Sequence, residues 1–179
     1  MSTTRKAMIA RRTTAFRRFG TVTAAMIVAA AGLLLGAAPA SADGYTHYEN
    51  VGNPGWCLDG DGTDAYLHRC GAGDVDFQLW YYTHGSDNLE LVHVASGKCL
   101  TAVTSFDVGL RPCDGRWGSR WDARGKNGWV KLVNRATGGC LQPSGTGVGG
   151  STRYPLTMAS GCGLGTDNVP NIIAWRYFA

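Results

Sequence analysis

The fold is decided by three short stretches that share one pattern, Gly55-Trp-Cys57-Leu58, Gly97-Lys-Cys99-Leu100 and Gly138-Gly-Cys140-Leu141. In each stretch a glycine stands two residues before a cysteine, and a leucine follows that cysteine. The three cysteines are spaced by 42 and 41 residues, and a fixed period of this length indicates an internal repeat. Each unit continues with a second cysteine and a tryptophan, which are Cys70 and Trp80, Cys113 and Trp121, and Cys162 and Trp175. We therefore expect three repeats, at about 43–90, 91–134 and 135–179.

The chain of 179 residues begins with a segment typical of export. Residues 1–42 contain six basic and no acidic residues, an apolar run from Thr21 to Ala38, and the small-residue string Ala38-Pro-Ala-Ser-Ala42. This layout predicts a secretory signal peptide, and cleavage after Ala42 would leave one domain, residues 43–179. An uncleaved membrane anchor is the alternative, although the run is shorter than the ~20 residues that span a bilayer. We expect a secreted, extracellular protein with no membrane span after cleavage, exported from a bacterium by the general or the twin-arginine route.

All six cysteines lie in residues 43–179, and an even number of cysteines in an exported protein indicates disulfides. If the repeats are structural units, the bridges fall within each unit and join Cys57 to Cys70, Cys99 to Cys113 and Cys140 to Cys162. Structural zinc sites use closely spaced pairs of cysteines, which this chain lacks, so no metal site and no cofactor is expected. Paired cysteines also leave no thiol nucleophile.

Removing the signal peptide changes the sign of the net charge. Residues 43–179 hold 11 of the 17 Lys and Arg residues and all 13 Asp and Glu residues, for a net charge of −2, so we expect no nucleic-acid partner. The second unit is nevertheless basic, with Arg111, Arg116, Arg120, Arg124 and Lys126 interleaved with Trp117, Trp121 and Trp129. Such a stretch can bind an anionic polymer. We favour the alternative, in which these tryptophans lie in the core and the arginines pair with the acidic first unit.

Short alternating runs, Leu89–Val94 and Trp129–Val133, predict β-strands, and Asn127-Gly128 is typical of a hairpin turn. No stretch of residues 43–179 has a convincing helical period, so the sequence predicts an all-β protein. A propeller needs about four to eight blades, more than three units supply. We therefore expect a threefold arrangement around a shared core, with Trp80, Trp121 and Trp175 as its anchors.

The unit Cys57-Leu58-Asp59, Cys70, Gln78-Leu79-Trp80 resembles the Q-x-W repeat of ricin-type (ricin B-chain-like) lectins. The resemblance extends from about Tyr45 to Phe178. It implies a β-trefoil of three subdomains, each with its own disulfide and each able to hold one sugar. In that family an Asp after Cys-Leu accepts hydrogen bonds from adjacent sugar hydroxyls. An aromatic residue two positions before the second cysteine stacks on the sugar, and an amide near Q-x-W adds hydrogen bonds.

The resemblance implies one weak sugar site, in the first unit. Asp59 would accept from two hydroxyls, His68 or its strand neighbour Tyr66 would stack on the ring, and Gln78 would orient the group. Two alternatives stay open for Asp59, a turn carboxylate that caps its own loop and a calcium ligand, and Gln78 could instead be structural. The other units have lost these residue types, with Thr101, Arg111 and Ser119 in the second and Gln142 and Ile173 in the third.

The sequence thus predicts a secreted, monomeric, non-catalytic carbohydrate-binding protein. None of its four histidines stands in a recognisable zinc or nucleophile motif, which argues against an enzyme. The alternative is a β-trefoil that has lost sugar binding and serves a protein partner, as an inhibitor or a toxin accessory subunit, because fold alone does not determine function.

Overall fold

The computed structural model describes residues 43–145, 152–163, 165–166 and 169–179. The predicted signal peptide, residues 1–42, lies outside the described residues.

The described part of the chain contains twelve strands, which follow one another in three groups of four. The first four are β1 (Gly44–Asn50), β2 (Trp56–Gly60), β3 (Ala65–Arg69) and β4 (Trp80–Tyr82). The second four are β5 (Leu91–His93), β6 (Lys98–Ala102), β7 (Val108–Arg111) and β8 (Trp121–Lys126). The third four are β9 (Trp129–Asn134), β10 (Cys140–Pro143), β11 (Tyr154–Ala159) and β12 (Trp175–Phe178). A single 3₁₀ turn precedes the last strand of each unit, at Val75–Phe77, Trp117–Ser119 and Asn171–Ile173.

The first and last strands of the units form a closed barrel of six antiparallel strands. β1 pairs with β4, β4 with β5, β8 with β9, β9 with β12, and β12 with β1. The remaining gap, between β5 and β8, is closed by Leu89 and Trp121, which exchange backbone hydrogen bonds of 2.8 and 2.9 Å. A closed barrel leaves no unpaired sheet edge.

The middle strands of each unit form the hairpins β2–β3, β6–β7 and β10–β11, which together cap one end of the barrel. Adjacent hairpins touch through equivalent short pairings, at Tyr66 with Pro155, Asp64 with Gly109 and Asp107 with Thr157. Six barrel strands with three capping hairpins are the β-trefoil that the sequence predicts, and the all-β fold is confirmed.

Three tryptophans anchor the core in the same way. Trp80, Trp121 and Trp175 are fully buried, and each indole Nε1 donates to the carbonyl of the leucine that follows its unit's first cysteine. The acceptors are Leu58 at 3.1 Å, Leu100 at 2.9 Å and Leu141 at 3.1 Å. This bond explains why the Cys-Leu and Trp positions recur in register.

The predicted disulfides are all present, with Cys57 bonded to Cys70, Cys99 to Cys113 and Cys140 to Cys162. The predicted hairpin turn is also confirmed. Asn127 and Gly128 join β8 to β9 and both have positive φ, 55° and 82°, which is the backbone of a type I′ turn.

Two tryptophans differ from the expectation that those of the basic stretch lie in the core, since Trp129 is only half-buried and Trp117 is exposed. Trp117 is not in the core but 62% exposed, because it lies on a 3₁₀ turn outside the barrel. Lys131 is buried among strands, and its ammonium donates to the backbone carbonyls of Cys162 and Gly163. Burial lowers the pKa of Lys131.

Candidate functional site

The structure brings the four predicted site residues together on the β2–β3 hairpin and the turn that follows it. Asp59 on β2 pairs with Tyr66 on β3, and His68 lies two residues further along β3. The His68 Nδ1–H donates to the Asp59 Oδ2 at 3.2 Å. The rings of Tyr66 and His68 meet edge to face, with centroids 6.2 Å apart.

Gln78 ties this hairpin to the loop after it. Its amide Nε2 donates to Asp59 Oδ2 and to the Arg69 carbonyl, both at 2.8 Å, and its Oε1 accepts from the Gly71 N–H at 2.8 Å. The buried amide is therefore engaged at both ends by the protein itself. These hydrogen bonds fix the orientation of the Asp59 carboxylate.

The two oxygens of Asp59 have different surroundings. Oδ2 accepts from both Gln78 and His68. Oδ1, in a residue only 1% exposed, has no hydrogen-bond partner in the described part of the chain, a condition shared there only by the Tyr154 hydroxyl among buried side-chain atoms. An unpartnered buried polar atom costs about 1–3 kcal/mol, more when charged, so a hydroxyl donor at Oδ1, from a ligand or from the neighbouring Tyr66, would stabilise the carboxylate.

Arg153, from the third unit, lies over the Tyr66 ring, and sequence reasoning missed it. Its guanidinium lies 4.3 Å from the centroid of the Tyr66 ring and 3.1 Å from Asp61 Oδ2. Tyr66 is only 7% exposed. Burial raises the pKa of its hydroxyl to about 12; the Asp59 carboxylate adds to the rise and Arg153 opposes it. Arg153 belongs to no recognisable sequence motif, and it comes close to Tyr66 only because the hairpins β2–β3 and β10–β11 touch in the cap.

The turn carboxylate in the acidic loop is Asp61 rather than Asp59. Asp61 Oδ1 accepts from the backbone N–H groups of Thr63 and Asp64, at 3.1 and 3.0 Å. The hydrogen bond from Asp64, with those from Thr63 and Arg153, lowers the pKa of Asp61. No group of three or more His, Cys, Asp or Glu side chains able to hold a metal ion is present among the described residues. The loop geometry is thus explained by an Asx turn.

The corresponding positions of the second unit donate hydrogen bonds to backbone carbonyls. Thr101 Oγ1 donates to the Cys99 carbonyl at 3.0 Å, and Arg111 donates to the carbonyls of Thr63 and Leu110 at 3.3 and 2.8 Å. Neither of these residues supplies a carboxylate.

Three of the arginines in the basic stretch of the second unit, Arg116, Arg120 and Arg124, pair with carboxylates. Arg124 pairs with Asp87, and Arg120 Nε lies 3.6 Å from Glu90, so both contact acids of the first unit as the favoured interpretation predicts. Part of the positive charge that stands out in the sequence is therefore balanced by carboxylates on the folded surface.

A family model described as the ricin-type beta-trefoil lectin domain matches residues 44–168, which include all four residues of the first-unit pocket. The comparison with curated proteins gives no significant match. In the described part of the chain, no helix is long and apolar enough to cross a membrane.

Solved structures with the same architecture include a designed protein, a toxin and a lectin. The designed threefold-symmetric protein ThreeFoil is 21% identical, with a TM-score of 0.58, over 75% of this chain and 98% of that one. A cytolethal distending toxin chain of Haemophilus ducreyi is 11% identical, with a TM-score of 0.59, over 74% and 81%. The Polyporus squamosus lectin, bound to a sialylated epitope, is 13% identical, with a TM-score of 0.58, over 75% and 48%. At these identities the likeness shows the fold alone.

Proposed function

The chain belongs to the ricin-type β-trefoil lectin domain family, and on that premise we propose that it is a secreted, non-catalytic protein that binds carbohydrate through one weak site in the first unit. The site consists of Asp59, Tyr66, His68 and Gln78. The observation that supports it best is the unpartnered, buried Oδ1 of Asp59, held in place by Gln78 and His68 through the other oxygen.

A pyranose offers this pocket two complementary surfaces. Its vicinal hydroxyls donate to the Asp59 carboxylate, and its C–H face packs on the ring of His68 or Tyr66. His68 is the more accessible of the two rings, with a side chain 26% exposed. A single shallow site of this kind corresponds to a dissociation constant of ~1 mM, or about −4 kcal/mol, for a monosaccharide.

A sugar that stacks on the face of the Tyr66 ring covered by Arg153 would have to displace that guanidinium. Arg153 is held there by its contact with the Tyr66 ring and by its pair with Asp61, which is partly exposed and contributes ~1 kcal/mol or less. The energy of these contacts would subtract from the affinity of a sugar that displaces Arg153.

The first prediction concerns Asp59. Replacing Asp59 by Asn removes the charge that accepts from sugar hydroxyls, and we expect the affinity for any bound sugar to fall at least ~10-fold, since hydrogen bonds to charged groups contribute about 1.5–3 kcal/mol. A glycan array with the oxidised protein, followed by titration calorimetry of its best sugar, measures this.

Asp76→Asn is the matched control, because Asp76 is an exposed carboxylate of the same unit and lies outside the pocket. Equal affinities of the Asp59→Asn protein and the wild type would move the site elsewhere.

The second prediction concerns Arg153. Replacing Arg153 by Ala uncovers that face of the Tyr66 ring, and we expect the sugar affinity to rise about threefold, because a cation–π contact at a partly exposed site contributes about 0.5–1 kcal/mol. The same titration measures it, with Arg176→Ala as the control, since Arg176 pairs with Glu49 away from the pocket. A lower affinity would mean that Arg153 itself contacts the sugar.

The burial of two residues of the first-unit site also supports a second candidate function. Asp59 and Tyr66 are almost fully buried, and the pocket positions of the other two units lack a carboxylate, as expected of a trefoil that has exchanged sugar binding for a protein partner. Affinity capture from secreted proteins, with and without competing sugars, separates the two functions. Capture of one partner that no sugar displaces, together with a silent glycan array, favours the protein-interaction module.

Secretion follows from the proposed signal peptide. The exported protein is expected to begin at Asp43 and to retain its three disulfides. Intact mass measured from culture medium, before and after reduction and alkylation, tests both points.

A further inference from the structure

Trp117 is a tryptophan whose ring lies outside the hydrophobic core. Trp80, Trp121 and Trp175 anchor the core, Trp56 is buried and Trp129 is half-buried, whereas Trp117 is 62% exposed. A large apolar ring left in solvent forgoes the ~1.5–3 kcal/mol that its burial would contribute. Trp117 stands four residues before the core tryptophan of its unit. The fold does not require a tryptophan there, since the equivalent residue is Asp76 in the first unit and Asn171 in the third.

Trp117 is nevertheless held firmly. It begins the 3₁₀ turn Trp117–Ser119, whose buried Ser119 hydroxyl lies 2.9 Å from the Arg116 carbonyl and 3.1 Å from Glu90 Oε1. The guanidinium of Arg135 lies over the indole, 5.1 Å from the ring centroid. An exposed aromatic ring on a fixed support loses little conformational entropy when a ligand stacks on it.

The ring borders a shallow groove of about 360 Å³. Asn88, Gly115, Arg120 and Arg135 line it with Trp117. The exposed side-chain amide of Asn88 makes no hydrogen bond within the described residues, so it offers a donor and an acceptor. Arg120 and Arg135 have further N–H groups beyond those used in their ion pairs.

The charges of the groove decide which ligand suits it. Each arginine around Trp117 in the described part of the chain already faces a carboxylate: Arg116 faces Asp114 at 3.1 Å, Arg120 faces Glu90 at 3.6 Å, and Arg135 faces Asp122 at 2.9 Å. The groove thus offers an aromatic surface and hydrogen-bond donors with no surplus positive charge. This combination suits a neutral sugar ring better than a sulfated or phosphorylated polymer.

We propose that Trp117, with Asn88, Arg120 and Arg135, forms a second saccharide-binding site, which takes a neutral sugar residue stacked on the indole. The class of ligand rests on the proposed function, but the site does not share residues with the first-unit pocket. It is also separate from the second unit's own counterpart of that pocket, because neither Thr101 nor Arg111 lines the groove.

The test follows the indole N–H signal of Trp117 in ¹H–¹⁵N correlation spectra of the oxidised protein. The signal is assigned as the one missing from the Trp117→Phe protein. The probes are the neutral disaccharides lactose, cellobiose, maltose and N,N′-diacetylchitobiose up to about 50 mM, well above the ~1 mM dissociation constant of a single shallow site. A sulfated heparin disaccharide is the charged comparison.

We expect at least one neutral disaccharide to shift the Trp117 signal saturably, with little change between about 0.1 and 0.5 M salt. Trp117→Ala should weaken that binding at least ~10-fold. Phe106→Ala, which removes a similarly exposed ring (65%) away from the groove, should not change it.

Two controls keep this site distinct from the first. In the Asp59→Asn protein the Trp117 shift should persist, and in the Trp117→Ala protein the His68 ring signals should still respond to a sugar that binds the first unit. Shifts confined to His68 would overturn the second site and leave the proposed function standing. A Trp117 response to the sulfated sugar alone, abolished by salt, or no response to any probe, would also overturn it.

Discussion

At the scale of single residues, His93 is a buried imidazole that the fold holds neutral. Its Nε2–H donates to the Phe77 carbonyl at 3.0 Å, which leaves Nδ1 to accept from the Ser96 hydroxyl at 2.8 Å. The ring packs against Trp80, with centroids 5.1 Å apart. Burial lowers the pKa of His93 below its ordinary value of 6.5.

This pKa makes the free energy of unfolding depend on pH. As the pH falls below 6.5, the unfolded chain binds a proton at His93 before the folded protein does, which favours unfolding. We expect the free energy of unfolding to fall with decreasing pH from 6.5 to the folded pKa, by up to ~1.4 kcal/mol per pH unit, and this contribution to be constant below it. Denaturant titrations at pH 5 to 7.5 measure the slope.

His93→Gln should remove this part of the slope. His84→Asn should keep it, because His84 is exposed and asparagine tolerates its positive φ of 66°. Equal slopes in the wild type and the His93→Gln protein would contradict the prediction.

Individual residues also mark the limit of what the sequence can predict. The recurring Cys-Leu and Trp positions are readable because each unit repeats the same indole-to-carbonyl bond. The four candidate site residues are close together in sequence, so a local motif can group them. Arg153 joins them only through contacts between hairpins, such as its pair with Asp61, 92 residues away in the sequence, and no local pattern records that. Trp117 is exposed although its residue type is usually buried, so the expectation that it lies in the core was wrong.

At the scale of secondary-structure elements, the hairpin β8–β9 contains two glycines that serve different purposes. Gly128 has φ 82° in the turn, and an added Cβ would meet no atom within 4 Å. Gly125, in β8, lies so close to β9 that an added Cβ would overlap the Trp129 carbonyl and lie 2.6 Å from the Val130 Cα. The turn glycine is recognisable from Asn127-Gly128, whereas the strand glycine depends on packing that the sequence does not display.

Alanine substitutions should separate the two roles. We expect Gly128→Ala to cost about 1–2 kcal/mol, from a left-handed backbone at a non-glycine residue. We expect Gly125→Ala to cost about 3 kcal/mol, because the two strands must move apart. Guanidinium denaturation of both variants measures the difference. A Gly125→Ala protein as stable as the Gly128→Ala protein would mean that β8 and β9 adjust freely.

At the scale of the whole molecule, no unit has a barrel of its own. Every barrel strand pairs with one from its own or a neighbouring unit, and β12 returns to β1 to close the ring. The three core tryptophans lie in one hydrophobic cluster with Leu58, Leu100 and Leu141. The threefold pattern that is visible in the sequence therefore describes one cooperative core rather than three independent domains.

This arrangement predicts equal costs for equivalent substitutions in the three units. Trp80→Phe, Trp121→Phe and Trp175→Phe each remove one buried indole hydrogen bond and part of a ring, so each should cost about 2–4 kcal/mol. Trp117→Phe should stay within about 0.5 kcal/mol of the wild type, since that ring packs in no core. Guanidinium denaturation followed by far-ultraviolet circular dichroism and by fluorescence should give one coincident transition for every variant. If a variant instead showed two transitions, the unit that carries the substitution would unfold separately, and the shared barrel and core would not hold the three units together.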